Sequence, residues 1–369
     1  AVIYRTVFVP AELIKLFLTN NESLVRFITL DIEFFDRYKE AIFGYRHITA
    51  MYWSRFIAAT FGGLAVVLLY FVGKRLFSAK VGLFAAVFLA FNYRHALGSH
   101  FGLPDVHQSL TALLTLYAGA LLLEKNTVRR YMFAASAAAL TFSFKYQPFA
   151  ALIPIFVHFV WTVRSKRISY LMGKNAWVAV FSAFATFLII NPYYFANIDN
   201  AFFRNRQDIG RYQMGVMYLR LYPYFYLFHW GIDRLPSLMV LFGVLFMFIR
   251  NRLKFFLVLI FPAAFISFMT YFSNGGIFTR NFTTPIPFLM LFAGYGFSKL
   301  LELFWPSKRH VVLVTIVALL IINYRPIKNI VLLDINYMKP WNLTKLDQWF
   351  DEGLPAKSII RVYHASFAV

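Results

Sequence analysis

Ten long apolar runs leave this 369-residue chain one general kind of fold. They cover about 54–73, 81–97, 105–123, 130–145, 147–163, 174–192, 234–249, 254–272, 284–304 and 311–324. A hydrocarbon core about 30 Å thick takes about 20 helical residues to cross, and an open sheet cannot cross it because its edge groups would find no partners. Composition agrees, with 60% hydrophobic and only 14% charged residues. The expectation is an all-α integral membrane protein, a polytopic helical bundle of about ten spans.

The connections between the runs carry charge unevenly. Lys74, Arg75 and Lys80 follow the first run; Lys125, Arg129 and Arg130 the third; Arg164, Lys166, Arg167 and Lys174 the fifth. Arg250, Arg252 and Lys254 follow the seventh, and Lys299, Lys308 and Arg309 surround the turn after the ninth. The alternate connections hold one cation each, Arg94, Lys145 and Arg280, so sixteen basic residues stand against three. The positive-inside rule reads the rich set as cytoplasmic and the sparse set as external. Residues 1–53, the segment 193–233 and the tail from Arg325 then also face outward. An even number of spans with both ends outside calls for a further span upstream of Ala1.

On this reading 1–53 is the remainder of a first external loop with interfacial helices. Residues 54–339 form one transmembrane domain that includes the external segment 193–233, whose aromatic and basic residues suit amphipathic helices at headgroup depth. Residues 340–369 begin an external domain. The net charge of +21 is an orientation signal, with no basic face or known fold that would make nucleic acid a partner. Without cysteine the chain has no disulfide, thiol catalysis or thiolate metal site.

Asp105 stands apart from this pattern. It closes the stretch SHFGLPD at the mouth of the third run. A carboxylate at a bilayer centre costs about 2.5–3.5 kcal/mol, so one beside a span is usually kept for pairing or chemistry. It also suits the first turn of a helix, where a negative charge complements the dipole.

Several passages, in order, resemble the GT-C superfamily of membrane glycosyltransferases, in the branch of the protein O-mannosyltransferases and the lipid A aminoarabinose transferase. They are the two spans from Tyr52 that lead to SHFGLPD, then ALTFSFKYQPFAALIPIFVHFVW, NPYYFANIDNAFFRNRQDIGRYQMG, TRNFTTPIPFLMLFAG and LTKLDQWFDEGLPAKSIIRV. The resemblance implies an inverting transfer of a sugar from a polyprenyl-phosphate donor, undecaprenyl- or dolichyl-linked, to a protein, lipid or glycan acceptor on the non-cytoplasmic face. The family's catalytic carboxylate normally follows its first span, often as an acidic pair. Glu12, Asp31, Glu33 and Asp36 do not match that pattern, so the principal base is expected upstream of Ala1.

Such a reaction needs cations for the departing phosphate. Lys145, at a span end before Tyr146, Gln147 and Pro148, reads either as a donor-phosphate ligand or as a snorkelling anchor. Arg280, in GGIFTRN, offers a fork suited to phosphate oxygens. Arg204 and Arg211 on the long external segment are further phosphate candidates, each with a headgroup-facing alternative. His100, Tyr146 and Asn281 complete the expected lining, with Asp105 as a supporting member. His95, His100 and His107 invite a metal reading, but their loose spacing favours hydrogen-bonding roles. The expected cofactor set is therefore none, with room for a divalent cation on hard oxygen ligands. Gly62 and Gly63 read as helix-packing residues. The rival readings are a polysaccharide polymerase or O-antigen ligase, and a secondary transporter.

Overall fold

The computed structural model describes residues 48–192, 194, 198–199, 222–271, 279–304 and 311–338. The described residues form helices and no strands. We number the α-helices α1 Ile48–Leu76, α2 Ala79–Ala90, α3 Tyr93–Ser99, α4 Pro104–Glu124, α5 Val128–Lys145, α6 Leu152–Ser165 and α7 Lys174–Ile190. They continue with α8 Tyr222–Tyr226, α9 Arg234–Arg250, α10 Arg252–Tyr271, α11 Ile286–Phe304 and α12 Val311–Met338. Short 3-10 turns at Pro148–Ala151, Ile168–Met172 and Thr279–Thr283 and a π turn at Leu227–Gly231 join them. The expected segments 1–47, nearly all of 193–221, and 339–369 lie outside the described residues.

Every apolar run is helical. Among the described residues, seven helices are long and apolar enough to cross a membrane, or nine when each of two bent pairs counts as one span. The difference from ten is α5, only 18 residues long and carrying Arg129, Arg130 and Lys145. It nevertheless packs between α4 and α7. The second expected span is broken: α2 and α3 meet at 64°. Asn92 makes the break, because its Oδ1 caps α3 by accepting from the His95 N–H at 2.9 Å. The last span runs on to Met338, through Pro326, rather than ending near 324. At about 1.5 Å per residue its 28 residues reach about 42 Å, well beyond a hydrocarbon core.

The core lies around α4 and α11, the latter buried from Ile286 to Ser298, while α7 buries none of its residues. A helix apolar on all sides and unburied within the protein suits contact with lipid tails. Close approach of α9 to α11 is made by Gly243, Gly294 and Gly296: a Cβ on Gly243 would run into the Phe292 backbone, and one on Gly296 into Met239 and Gly243. Of the pair expected to pack helices, Gly62 does so against Ser99, whereas Gly63 faces open space. Hydrogen bonds between spans add specificity. Thr186 Oγ1 donates to Ser136 Oγ at 2.9 Å, and Asn191 Nδ2 to Ser143 Oγ at 2.8 Å.

The charge pattern becomes spatial. Arg75 makes a bidentate pair with Glu124, at 2.7 and 2.6 Å, and Glu124 also faces Arg130 at 3.7 Å. Lys254 donates to the Leu76 carbonyl, while Asn251 donates to the Tyr295 hydroxyl at 2.7 Å. Tyr170 accepts from Asn126, whose Oδ1 accepts from Asn175 at 3.1 Å. These contacts gather the connections rich in cations at one end of the bundle. Arg94, Lys145 and Arg280 belong to the other.

Candidate functional site

At that second end three distant stretches of chain meet. Asp105 enters on the first turn of α4, set by Pro104 at the helix start. Lys145 is the last residue of α5, and Tyr146 stops the helix by adopting the left-handed conformation at φ 54°. The third stretch is the 3-10 turn Thr279–Thr283, which packs against α3 and α4.

Lys145 Nζ donates to Asp105 Oδ1 and, at 2.9 Å, to Asn281 Oδ1. The Asp105 and Lys145 side chains are 3% and 13% exposed, so this is a buried ion pair. Asn281 Nδ2 rests against Met269 Sδ at 3.9 Å, which orients its carbonyl oxygen toward the ammonium. Asp105 Oδ2 has no hydrogen-bond partner among the described residues.

Arg94 supplies a second buried cation. Its Nη2 donates to Thr279 Oγ1 at 3.1 Å, while its Nε and the nearby Thr283 hydroxyl are unpartnered among the described residues. Arg280, between Thr279 and Asn281, is exposed. An amide network lies beneath: Thr284 Oγ1 donates to Gln108 Oε1 at 3.1 Å, and Gln108 Nε2 to Gln147 Oε1 at 3.1 Å. Buried polar atoms without partners are uncommon, and their clustering beside two cations marks a place prepared for polar ligand atoms or water.

The structure thus joins Asp105, Lys145 and Asn281 directly and places Arg280 on the same turn. Arg94, Gln108 and Gln147 were not singled out in the sequence. Arg94 had a signal, since it is the third member of the sparse set that contains Lys145 and Arg280. Tyr146 instead packs in an aromatic group with Phe142, Phe187 and Tyr194, at centroid distances of 5.6, 6.3 and 5.4 Å. His100 turns toward α12: its Nε2 meets Asp334 Oδ1 at 3.1 Å and its ring stacks on Tyr337. Arg204 and Arg211 lie outside the described residues.

The histidines do not converge on a cation. His95 Nε2 donates to the Gly62 carbonyl at 3.1 Å, and His107 Nδ1 to the Leu103 carbonyl at 2.9 Å. Among the described residues no three acidic or imidazole groups form a metal-ligating set.

Residues 34–191 match the family model described as dolichyl-phosphate-mannose-protein mannosyltransferase. Comparison with curated proteins gives no match. Among solved structures, ArnT from Cupriavidus metallidurans in the apo state superposes with a TM-score of 0.51 and 15% identity, covering 75% of this chain and 59% of that one. ArnT from the same organism bound to undecaprenyl phosphate gives 0.56 and 14%, covering 78% and 62%. The chain spans about three fifths of the length of these relatives, and at such identity the likeness is one of fold. Residues 34–191 thus resemble that mannosyltransferase family, and the helical architecture is one this chain shares with ArnT at the level of fold.

Proposed function

We propose that this protein transfers a sugar from a polyprenyl-phosphate donor to an acceptor on the non-cytoplasmic face of the membrane, with inversion. The observation that carries the reading is the meeting of Arg94, Lys145 and Arg280, from three separate connections, at one end of the bundle around Asp105. The family match and the fold shared with an ArnT bound to undecaprenyl phosphate support it.

In this reading the acceptor oxygen attacks the anomeric carbon from the face opposite the phosphate. The new C–O bond forms as the sugar–phosphate bond breaks, and the phosphate leaves with the electron pair. Arg94, Arg280 and Lys145 stabilise the developing charge, the kind of electrostatic help that is usually the largest catalytic contribution. Asp105 is a positioning residue, because the Lys145 ammonium occupies its Oδ1 and burial shields it from an acceptor. The acceptor proton passes to another carboxylate. Mannose and a dolichyl carrier are one version of this donor, and an undecaprenyl carrier is another. Asp105 and Lys145 stand at helix ends rather than at mid-span, which disfavours a transporter.

The test is undecaprenyl phosphate binding by the full chain in phospholipid nanodiscs, followed by tryptophan fluorescence. Arg280→Ala is expected to weaken binding about 10- to 100-fold, the value of losing charged hydrogen bonds to phosphate. Equal binding by wild type and Arg280→Ala would remove Arg280 from the donor site, and no binding by either would remove the donor class.

A further inference from the structure

A largely apolar cavity edged with amides lies beside α3, outside the Lys145 group. Its volume is about 350 Å³, and Tyr93, the turn from Tyr226 to Asp233 and the C-terminal half of α12 enclose it. That is near the lower end of ligand pockets, roughly 300–1,000 Å³, and suits one or two small rings rather than a long chain.

Its walls combine aromatic faces, Tyr93, Tyr226 and Trp230, with the amides of Asn329 and Asn336. The charges around it are internally paired. Asp233 Oδ2 faces Arg325 Nε at 3.4 Å, its Oδ1 accepts from the Arg234 backbone N–H at 2.6 Å, and Arg325 lies over the Trp230 ring. An anion would meet Asp233, and an acyl chain would strip water from amides and hydroxyls. The half-buried Asn329 amide has no hydrogen-bond partner among the described residues and is free to take one from a ligand.

The backbone here is distorted in two successive ways. Leu227–Gly231 is a π turn, and Asp233 adopts φ 79°, ψ 158°, an extended positive-φ conformation that a non-glycine residue holds only at a cost. Two hydrogen bonds lock the distortion. Asn92 Nδ2 donates to the Gly231 carbonyl at 2.9 Å and Ser237 Oγ to the Phe228 carbonyl at 2.8 Å. The braced, distorted segment lines the cavity.

We propose that this cavity binds one uncharged pyranose ring of a glycan acceptor. Aromatic faces stack on the apolar C–H face of a sugar, while side-chain amides pair with its hydroxyls in both directions. The position fits. Tyr93 adjoins Arg94, which reaches Thr279, and the Tyr226 ring packs against Phe282 on the same 3-10 turn. The assignment of the ring to an acceptor rests on the sugar-transfer reading; the binding of a neutral sugar does not.

The experiment is saturation-transfer NMR on the full chain in nanodiscs free of sugar-headgroup detergent, with the methyl glycosides of glucose, mannose, galactose and N-acetylglucosamine. Wild type is expected to take up at least one of them. Asn329→Ala, which favours the helix it sits in, is expected to weaken that binding roughly three- to tenfold, the value of one or two neutral hydrogen bonds. Trp230→Ala should do the same by removing a stacking face. Absence of transfer from all four glycosides, or equal transfer in both variants, overturns the proposal, as does competition by inorganic phosphate. Undecaprenyl phosphate is measured in parallel: glycoside uptake without it leaves the cavity assignment standing and removes the donor reading. The reverse result removes the cavity and leaves the donor reading.

Discussion

Lys145 and Asp105, forty positions apart, form an ion pair whose side chains are only 13% and 3% exposed. Nothing in either local sequence pairs them. The antiparallel packing of α4 against α5 puts the start of one beside the end of the other. Removing one partner of such a pair leaves the other charge buried and alone, whereas removing both does not.

Lys145→Ala is therefore expected to destabilise the protein by about 3–5 kcal/mol. The double variant Asp105→Asn with Lys145→Met should recover most of that loss while still failing to bind undecaprenyl phosphate. Thermal unfolding of the three proteins in one detergent checks the first statement. Lys145→Ala matching wild type would mean that water reaches Asp105 freely.

Arg94 is expected to matter more for ligand than for fold. Arg94→Gln keeps a donor near Thr279 Oγ1 but removes the charge, so undecaprenyl phosphate binding should fall about 10- to 100-fold. Thr279→Val removes only a neutral partner and should cost the protein about 1 kcal/mol of stability. If the two variants weaken binding alike, Arg94 acts only by holding the turn.

The glycines separate by position. Gly243→Ala would push a methyl group into the Phe292 backbone, which has no rotamer to yield, and should cost about 1–3 kcal/mol or more. Gly63→Ala meets nothing within 4 Å and should be neutral or stabilising by up to about 1 kcal/mol in a helix interior. Melting temperatures of the two variants check both, and a reversed order would contradict the packing of α9 on α11.

Much of the candidate site was legible because the membrane reduces placement to one dimension. A residue's distance from a span end fixes its depth, so Asp105, Lys145 and Asn281 could be assigned a common level before any contact was known. Arg94 was legible in kind, as the third sparse cation, but its burial was not, since that depends on the Asn92 break between α2 and α3. His100 shares the level and turns instead toward Asp334, because the C-terminal half of α12 lies across that side. Helix extent past Arg325 was missed because hydropathy marks where lipid ends and says nothing about where hydrogen bonding ends.

By itself the sequence determined the helical class, the ten runs and the segregation of their cations to two levels, since burial of apolar residues and backbone satisfaction in lipid are local requirements. Which residues at one level touch was decided only by the tertiary structure. Azimuth around each helix follows from close approaches such as Gly243 on Phe292 and from breaks such as Asn92, and these set Lys145 against Asp105 and Tyr93 against the sugar-sized cavity.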